Sequence, residues 1–301
     1  MPWRAKGDER LGTPMPAAPP SDYVAAPRLP GGLPPGEPVA TRPDTTDNPA
    51  TLPEAYDRAT RGATACARAS TAVLLLFSGP KARPDGLAAH LNRLGFTSTM
   101  VDSAPGDGGE EDDLLKDSVY DGLLRRVQAG EFCAILAAPP CSTFSVSRFF
   151  TAAGSHNGGP PPVRDRKHVR GLTDVSPSHR RELNEANSLV SRTASLLLAG
   201  WGVGTQFIIE NPADRGDRAI TRNFMNERHA PLWHMPDLKP LTVASGARLT
   251  TFPQCAFGSP YQKQTSLLFS PAFDGWLAAL SSLKCVHSSH PKQVGGTRDG
   301  E

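Results

Sequence analysis

The segment FCAILAAPPCSTFS carries an apolar run to Pro139-Pro140 and sets Cys141 directly behind them. Two prolines restrict the backbone of a turn and hold the next side chain in place. A thiol fixed in this way, with Ser142, Thr143 and Ser145 beside it, has the setting of a nucleophile once electropositive surroundings or an acid assist it. The competing reading is a buried, space-filling cysteine; Cys133, inside the apolar run, suits that role better. Glu210 is the second group. In FIIENP a carboxyl follows three apolar residues, which is costly unless it is paired or protonated. It either pairs with an arginine such as Arg215 or Arg218, or keeps its proton through burial and acts as an acid. Asn211 and Pro212 fix the turn after it.

Two further clusters could do chemistry. VRDRKHVRG offers Arg164, Arg166, Lys167, His168 and Arg170, with Arg148 upstream and HRR downstream. Such a run is either a solvated charged loop or a mobile lid that contacts phosphates, giving salt-dependent affinity without sequence choice. Near the C-terminus, CVHSSH holds Cys285, His287 and His290, and Cys255 would complete a set of four. One or two thiolates with two imidazoles suit zinc, but the spacing is not that of a standard finger. The residues therefore read as ordinary polar and packing groups, with no metal expected and zinc as the alternative. His229 and His234 read as surface or supporting groups.

These side chains need elements to position them. TAVLLLFSGP (71–80) reads as a strand buried on both faces. PDGLAAHLNRL (84–94) predicts a helix with Leu87, Leu91 and Leu94 on its packed side, and FTSTMVD (96–102) a second strand ending on Asp102. A helix over 114–129 and a strand over 132–138 follow, then a long basic loop, 149–178. A helix over 179–199 buries Leu183, Ala186, Val190, Thr193 and Leu197, and is broken by Gly200, Gly202 and Gly204. TQFIIENP (205–212) is another strand, 219–237 holds a short helix and a turn, and ARLTTFPQC and TSLLFS read as later strands that pair antiparallel. FDGWLAALSSL is the last helical piece. Short alternation of strand and helix implies parallel strands covered by helices, with a ligand beyond their carboxyl ends. Ser78-Gly79, Asp102, Pro140-Cys141 and Glu210-Asn211 all fall at such ends.

In this order, LLLFSGP, PPCSTFS and IIENP resemble the DNA cytosine-C5 methyltransferase family, above all its divergent phage-like and retroelement-like branch; the likeness spans about residues 72–268. The resemblance implies an α/β fold, a doubly wound, mostly parallel sheet of the S-adenosylmethionine-dependent methyltransferase type, with a small irregular C-terminal part. It implies S-adenosylmethionine as cofactor, held by Phe77, Ser78, Gly79 and Pro139, with Asp102 on the ribose hydroxyls and Asp113, or Asp112 as the alternative, near the adenine. It makes Cys141 the nucleophile and Glu210 the catalytic carboxyl. Ser142, Asn211, Arg164, Arg166, Lys167 and Arg170 fall on the substrate side, as do Lys263 and Thr265 in the distal segment CAFGSPYQKQT. The partner is DNA, single-stranded or structured DNA included, with RNA as a further possibility. Pro80 stands where the family's turn has another glycine, and the stretch between Thr265 and Glu301 has no room for a separate target-recognition domain. A protein that keeps this fold and binds nucleic acid without turnover is the alternative. An amino-methyltransferase ranks low, because Ala138 stands where such sites place an acceptor before Pro-Pro.

Composition bounds the remainder. The chain has 301 residues, with 28 glycines and 30 prolines. The prolines crowd into residues 1–55, which lack apolar periodicity and read as a disordered arm; residues 56–301 then form one methyltransferase-like domain, with a short helix at 56–69 and a small C-terminal extension at 270–301. A formal charge of +2 neither requires nor excludes nucleic acid. Five irregularly spaced cysteines argue against a disulfide framework. No apolar run approaches the length of a membrane span. The expectation is an intracellular soluble monomer of nucleus or cytoplasm, with no membrane partner.

Overall fold

The run Ala72–Leu76 is buried on both sides, and it forms the strand around which the others are laid. The computed structural model describes residues 70–104, 108–149, 160–220, 224–260, 263–287 and 290. The arm at 1–55 and the helix expected at 56–69 lie outside the described residues. Six strands form one sheet: β1 (Ala72–Leu76), β2 (Thr97–Val101), β3 (Ala134–Ala137), β4 (Gln206–Pro212), β5 (Arg248–Pro253) and β6 (Gln264–Phe269). Their order is β2-β1-β3-β4-β6-β5. β1 pairs in parallel with β2 and β3, and β3 with β4, whereas β6 runs antiparallel to both β4 and β5. The protein is therefore α/β with a mostly parallel, mixed sheet compatible with a Rossmann-like fold.

The period of two along β1 divides the core. Leu74 and Leu76 face the larger cluster, with Ile135, Phe207 and Leu197, whereas Val73 and Leu75 face a smaller one with Ala88. Helices α2 (Asp117–Gln128), α3 (Pro177–Gly202) and α4 (Leu238–Ser245) contribute to the larger cluster, and α1 (Leu87–Arg93) to the smaller. Ser176 caps α3 by accepting from His179 N–H, with Pro177 in the first turn. All five positions expected to be buried on this helix are buried.

Three expectations need correction. Leu87 and Leu94 are exposed, at 53% and 75%; of the three leucines expected to pack only Leu91 does, and Ala88 joins it, because α1 lies over a small cluster. Gly200 does not break α3, which runs on to Gly202. A Cβ at Gly200 would sit 3.1 Å from Ile135 Cδ1 and 3.2 Å from Thr205 Cβ, so this glycine allows a close approach to the sheet. Within 219–237 the described structure has a single 3₁₀ turn, Leu232–His234, and the helix α4 begins just beyond. The last helical piece is short, α5 (Asp274–Leu277) continuing as 3₁₀ through Ala278–Ser282. Among the described residues no helix is long and apolar enough to cross a membrane.

Candidate active site

The chain leaves β1 for β2 on one side and later returns to place β3 on the other, so the strand order reverses between β1 and β3. The crevice beyond their carboxyl ends is where open α/β sheets take ligands. At the end of β1, Phe77 adopts φ +59°, the only positive φ outside glycine among the described residues. That conformation costs about 1–2 kcal/mol and re-aims the backbone at once. Gly79 follows at φ +68°, and a Cβ there would meet nothing within 4 Å, so this turn faces open space. Its N–H donates to Asp102 Oδ2 at 2.8 Å, and Ala104 N–H donates to Asp102 Oδ1 at 2.9 Å. The turn after β1 and the acid after β2 are thus one unit. Asp113 Oδ1 accepts Leu115 N–H at 2.9 Å and shapes the entry to α2, while Asp112 pairs with Lys81 at 2.6 Å. Ser78 is half-buried in the turn.

β3 ends in a buried Pro139 and an exposed Pro140. Cys141 is half-buried and opens a 3₁₀ turn, Ser142–Phe144, whose closing bond is Phe144 N–H to Cys141 O at 3.0 Å. Ser142 is exposed. On the adjoining strand, Glu210 and Asn211 stand just beyond the last paired residue, Ile209 opposite Ala137. Asn211 is fully buried, and its Nδ2 donates to Pro139 O at 2.8 Å, tying the turn that bears Cys141 to the strand end that bears Glu210. Its Oδ1 is buried without a partner.

Glu210 pairs with neither arginine considered from the sequence. Its partner is Lys263, Nζ to Oε1 at 3.3 Å, and 31% of its side chain is exposed. The burial expected to hold a proton on Glu210 is thus only partial, because the antiparallel β6 brings an ammonium to it. Lys263 enters through the β5–β6 turn. Gln254 N–H donates to Lys263 O at 2.8 Å and Gln254 Nε2 to Thr265 Oγ1 at 3.0 Å, with Thr265 itself buried. Lys263 and Thr265 are therefore brought to the Glu210 strand end, Thr265 directly opposite Pro212.

The described part of the basic loop, 160–176, is strapped to the body. Arg164 is 2% exposed. Its guanidinium donates to Val169 O at 2.6 Å, Asn187 Oδ1 at 3.2 Å and Thr143 Oγ1 at 2.8 Å, and stacks 4.0 Å over the Phe144 ring. Burial, then the nearby Arg148, pulls its pKa down to about 10. This overturns its expected place on a DNA phosphate: every direction its fork points is protein interior. Arg166 grips both oxygens of Asp214 at 2.6 Å, and Arg170 meets Asp237 at 2.9 Å. Lys167 is exposed. Arg148, also buried, donates to Ser142 O at 2.7 Å and pairs with Glu182.

Two groups without a sequence signal complete this support. Burial acts against the charge of Asp214, but His229, His234, the Gly216 N–H and Arg166 surround the carboxyl and hold its pKa far below the usual range. His229, 1% exposed, meets Phe144 O through Nε2 at 2.8 Å and Arg215 N–H through Nδ1 at 3.0 Å. Nothing in DRGDR or ERHAP distinguishes a buried acid or imidazole from a surface one.

A cavity of about 640 Å³ opens between the β1–α1 loop and the turn after β5, lined by Arg83, Asp85, Gln254, Phe257, Gly258, Ser259 and Pro260. Neither Cys141 nor Glu210 lines it. Cys255, Cys285, His287 and His290 come together in the fold, each offering one ligand atom, all within 4.8 Å of one another. No family model matches the chain, and no curated protein matches it.

Proposed function

We propose that the chain is an S-adenosylmethionine-dependent methyltransferase acting on C5 of cytosine in DNA, with Cys141 as nucleophile. The observation that carries the reading is the Asn211–Pro139 bond of 2.8 Å. It couples a turn-held, half-buried thiol to a strand end bearing a carboxyl, on neighbouring parallel strands beside the switch point of the sheet.

The residues at the β1 end fit the cofactor. Gly79 faces open space, Phe77 turns the backbone sharply, and Asp102 presents a carboxylate already oriented by two N–H donors. A carboxylate has about four lone-pair sites, so Asp102 keeps acceptor capacity for ribose hydroxyls. When bound, S-adenosylmethionine supplies an electrophilic methyl group for C5. The chain's own groups prepare the base. The Cys141 thiolate adds to C6, and the C5–C6 electrons move into the ring toward N3 and O2. Glu210, carrying a proton, donates it to N3 as negative charge builds there, and Lys263, 3.3 Å away, places a positive charge beside that region. After methyl transfer a base removes the C5 proton, the C5–C6 double bond re-forms and the thiolate leaves. The target base must be outside a duplex stack to reach this edge, so single-stranded or distorted DNA is the preferred substrate.

The test is transfer of labelled methyl from S-adenosylmethionine to single- and double-stranded oligonucleotides, with product nucleosides resolved. Label in 5-methylcytosine supports the reading; label in N4-methylcytosine, in RNA only, or in neither sinks it. The second reading is nucleic-acid binding without turnover. The half-buried Glu210–Lys263 ion pair favours it, since the carboxyl is not held in an apolar shell. Under that reading the chain binds DNA and does not bind S-adenosylmethionine.

A further inference from the structure

We propose that Cys255, Cys285, His287 and His290 form a structural zinc site that staples the C-terminal segment to the turn after β5. Cys255 lies in the 3₁₀ turn Gln254–Phe257, and the other three come from the end of the described chain, distant in sequence. Tetrahedral zinc holds sulfur at about 2.3 Å and nitrogen at about 2.0–2.1 Å, which sets sulfur–nitrogen separations near 3.5–3.6 Å and sulfur–sulfur near 3.8 Å. Cys285 Sγ lies 3.7 Å from His287 Nδ1 and 3.3 Å from His290 Nε2. With all four donor atoms inside 4.8 Å, closure on an ion needs a shift of about 1 Å at most.

The donor set selects the ion and the role. Two thiolates and two neutral imidazoles around Zn²⁺ sum to no net charge, so the site can sit against a cysteine only 3% exposed. Binding releases the two thiol protons. Four protein ligands leave no open position, which is the pattern of a structural and not a catalytic site.

The segment also lacks another anchor of comparable strength. None of its helical pieces, Pro271–Phe273, Asp274–Leu277 and Ala278–Ser282, contains a buried residue. Trp276 is 76% exposed and Val286 87%. Its ion pair, Arg248 with Asp274 at 2.7 Å, is half open to water and holds little on its own. A short segment whose apolar side chains are at most half-buried offsets little of the entropy of ordering it, and a metal supplies that free energy directly. The anchor point matters for the rest of the molecule, because Gln254, adjacent to Cys255, holds both Lys263 and Thr265. The proposal stands independently of the chemistry at Cys141.

The full chain, purified under reducing conditions without chelator, is assayed for metal by elemental analysis, then stripped and titrated with cobalt(II). One zinc per chain is expected, with tetrahedral cobalt absorption and a thiolate-to-metal charge-transfer band. Cys285 and His290 are not themselves fully buried, so the chains carrying Cys285→Ser and His290→Asn should both fold. Each should lower zinc affinity by more than the roughly 10–100-fold that loss of a supporting partner costs, and speed proteolytic cleavage after Ser270. Absence of zinc together with no cobalt chromophore in the reduced protein overturns the proposal. So does zinc retained at full stoichiometry in both variants. A Cys255–Cys285 disulfide that forms in air, with no metal uptake after reduction, overturns it in favour of a redox pair.

Discussion

The carboxyl edge of the sheet has two halves that use charge in opposite ways. Around β1 and β2 the side chains are acidic, and their ties are short and local: Asp102 to Gly79 and Ala104, Asp113 to Leu115. The turn they shape faces open space at Gly79. Around β3 and β4 the residues are basic, yet most of that charge is turned inward. Arg164 and Arg148 are buried, Arg166 is held by Asp214, and Arg170 by Asp237. The acidic half is organised but open, as suits the ribose and cationic centre of a nucleoside cofactor. The basic half is first a scaffold behind Cys141 and only at its rim, through the exposed Lys167, His168 and Arg170, a surface for a polyanion. A cluster of arginines in a sequence therefore does not measure how many phosphates a protein can touch.

Substitutions on the two halves should separate stability from binding. Arg164→Ala strands the buried Thr143 and removes the donor from the half-buried Val169 O and Asn187, and is expected to cost about 3 kcal/mol in urea unfolding; a loss below about 1 kcal/mol would show the strap to be dispensable. Asp102→Ala should leave unfolding little changed but weaken S-adenosylmethionine binding about 10–100-fold by calorimetry, the worth of hydrogen bonds to a charged acceptor. If the unfolding loss were the larger, the acidic half would be a scaffold too.

Asp214→Asn is expected to cost about 2 kcal/mol at pH 7. The folded carboxyl has a lowered pKa, so its contribution is fully present above the ordinary value of about 4 and shrinks as pH falls below it toward the folded value. Urea melts of the parent and variant should therefore keep their full separation above about pH 4 and draw together progressively as the pH falls below it. The smallest effect on stability belongs to Lys263→Met. Its ion pair with Glu210 is part-exposed and worth less than about 1 kcal/mol, while methyl transfer should fall clearly because the cation beside N3 is gone.

The same contrast explains what the sequence could reveal. Continuous apolar runs mark β1, buried on both faces, and β3 and β4, which bury one face and half-bury the other, and the five-position stripe of α3 is legible because one helix face meets one core. The strand ends follow from the runs, so Cys141, Glu210 and Asp102 could be placed at one edge. Partners could not. Lys263 reaches Glu210 only because β6 inserts antiparallel between β4 and β5, which no local pattern specifies. Arg164 reads as surface because its partners, Thr143 and Asn187, lie on other elements. Cys255 joins Cys285, His287 and His290 through tertiary structure, so no finger-like spacing announces the cluster. α4 has no clear sequence signal because it is only 8 residues long and carries Pro240 in its first turn.

The most direct measurement is covalent capture on a single-stranded oligonucleotide containing 5-fluorocytosine, with S-adenosylmethionine present, read by intact mass and by digestion to the modified peptide. Fluorine at C5 cannot leave as a proton, so turnover halts with the base attached. The account predicts an adduct of protein, oligonucleotide and one methyl group, mapped to Cys141 and absent in Cys141→Ser. An adduct on another residue, or none while S-adenosylmethionine and the oligonucleotide are both bound, would contradict it.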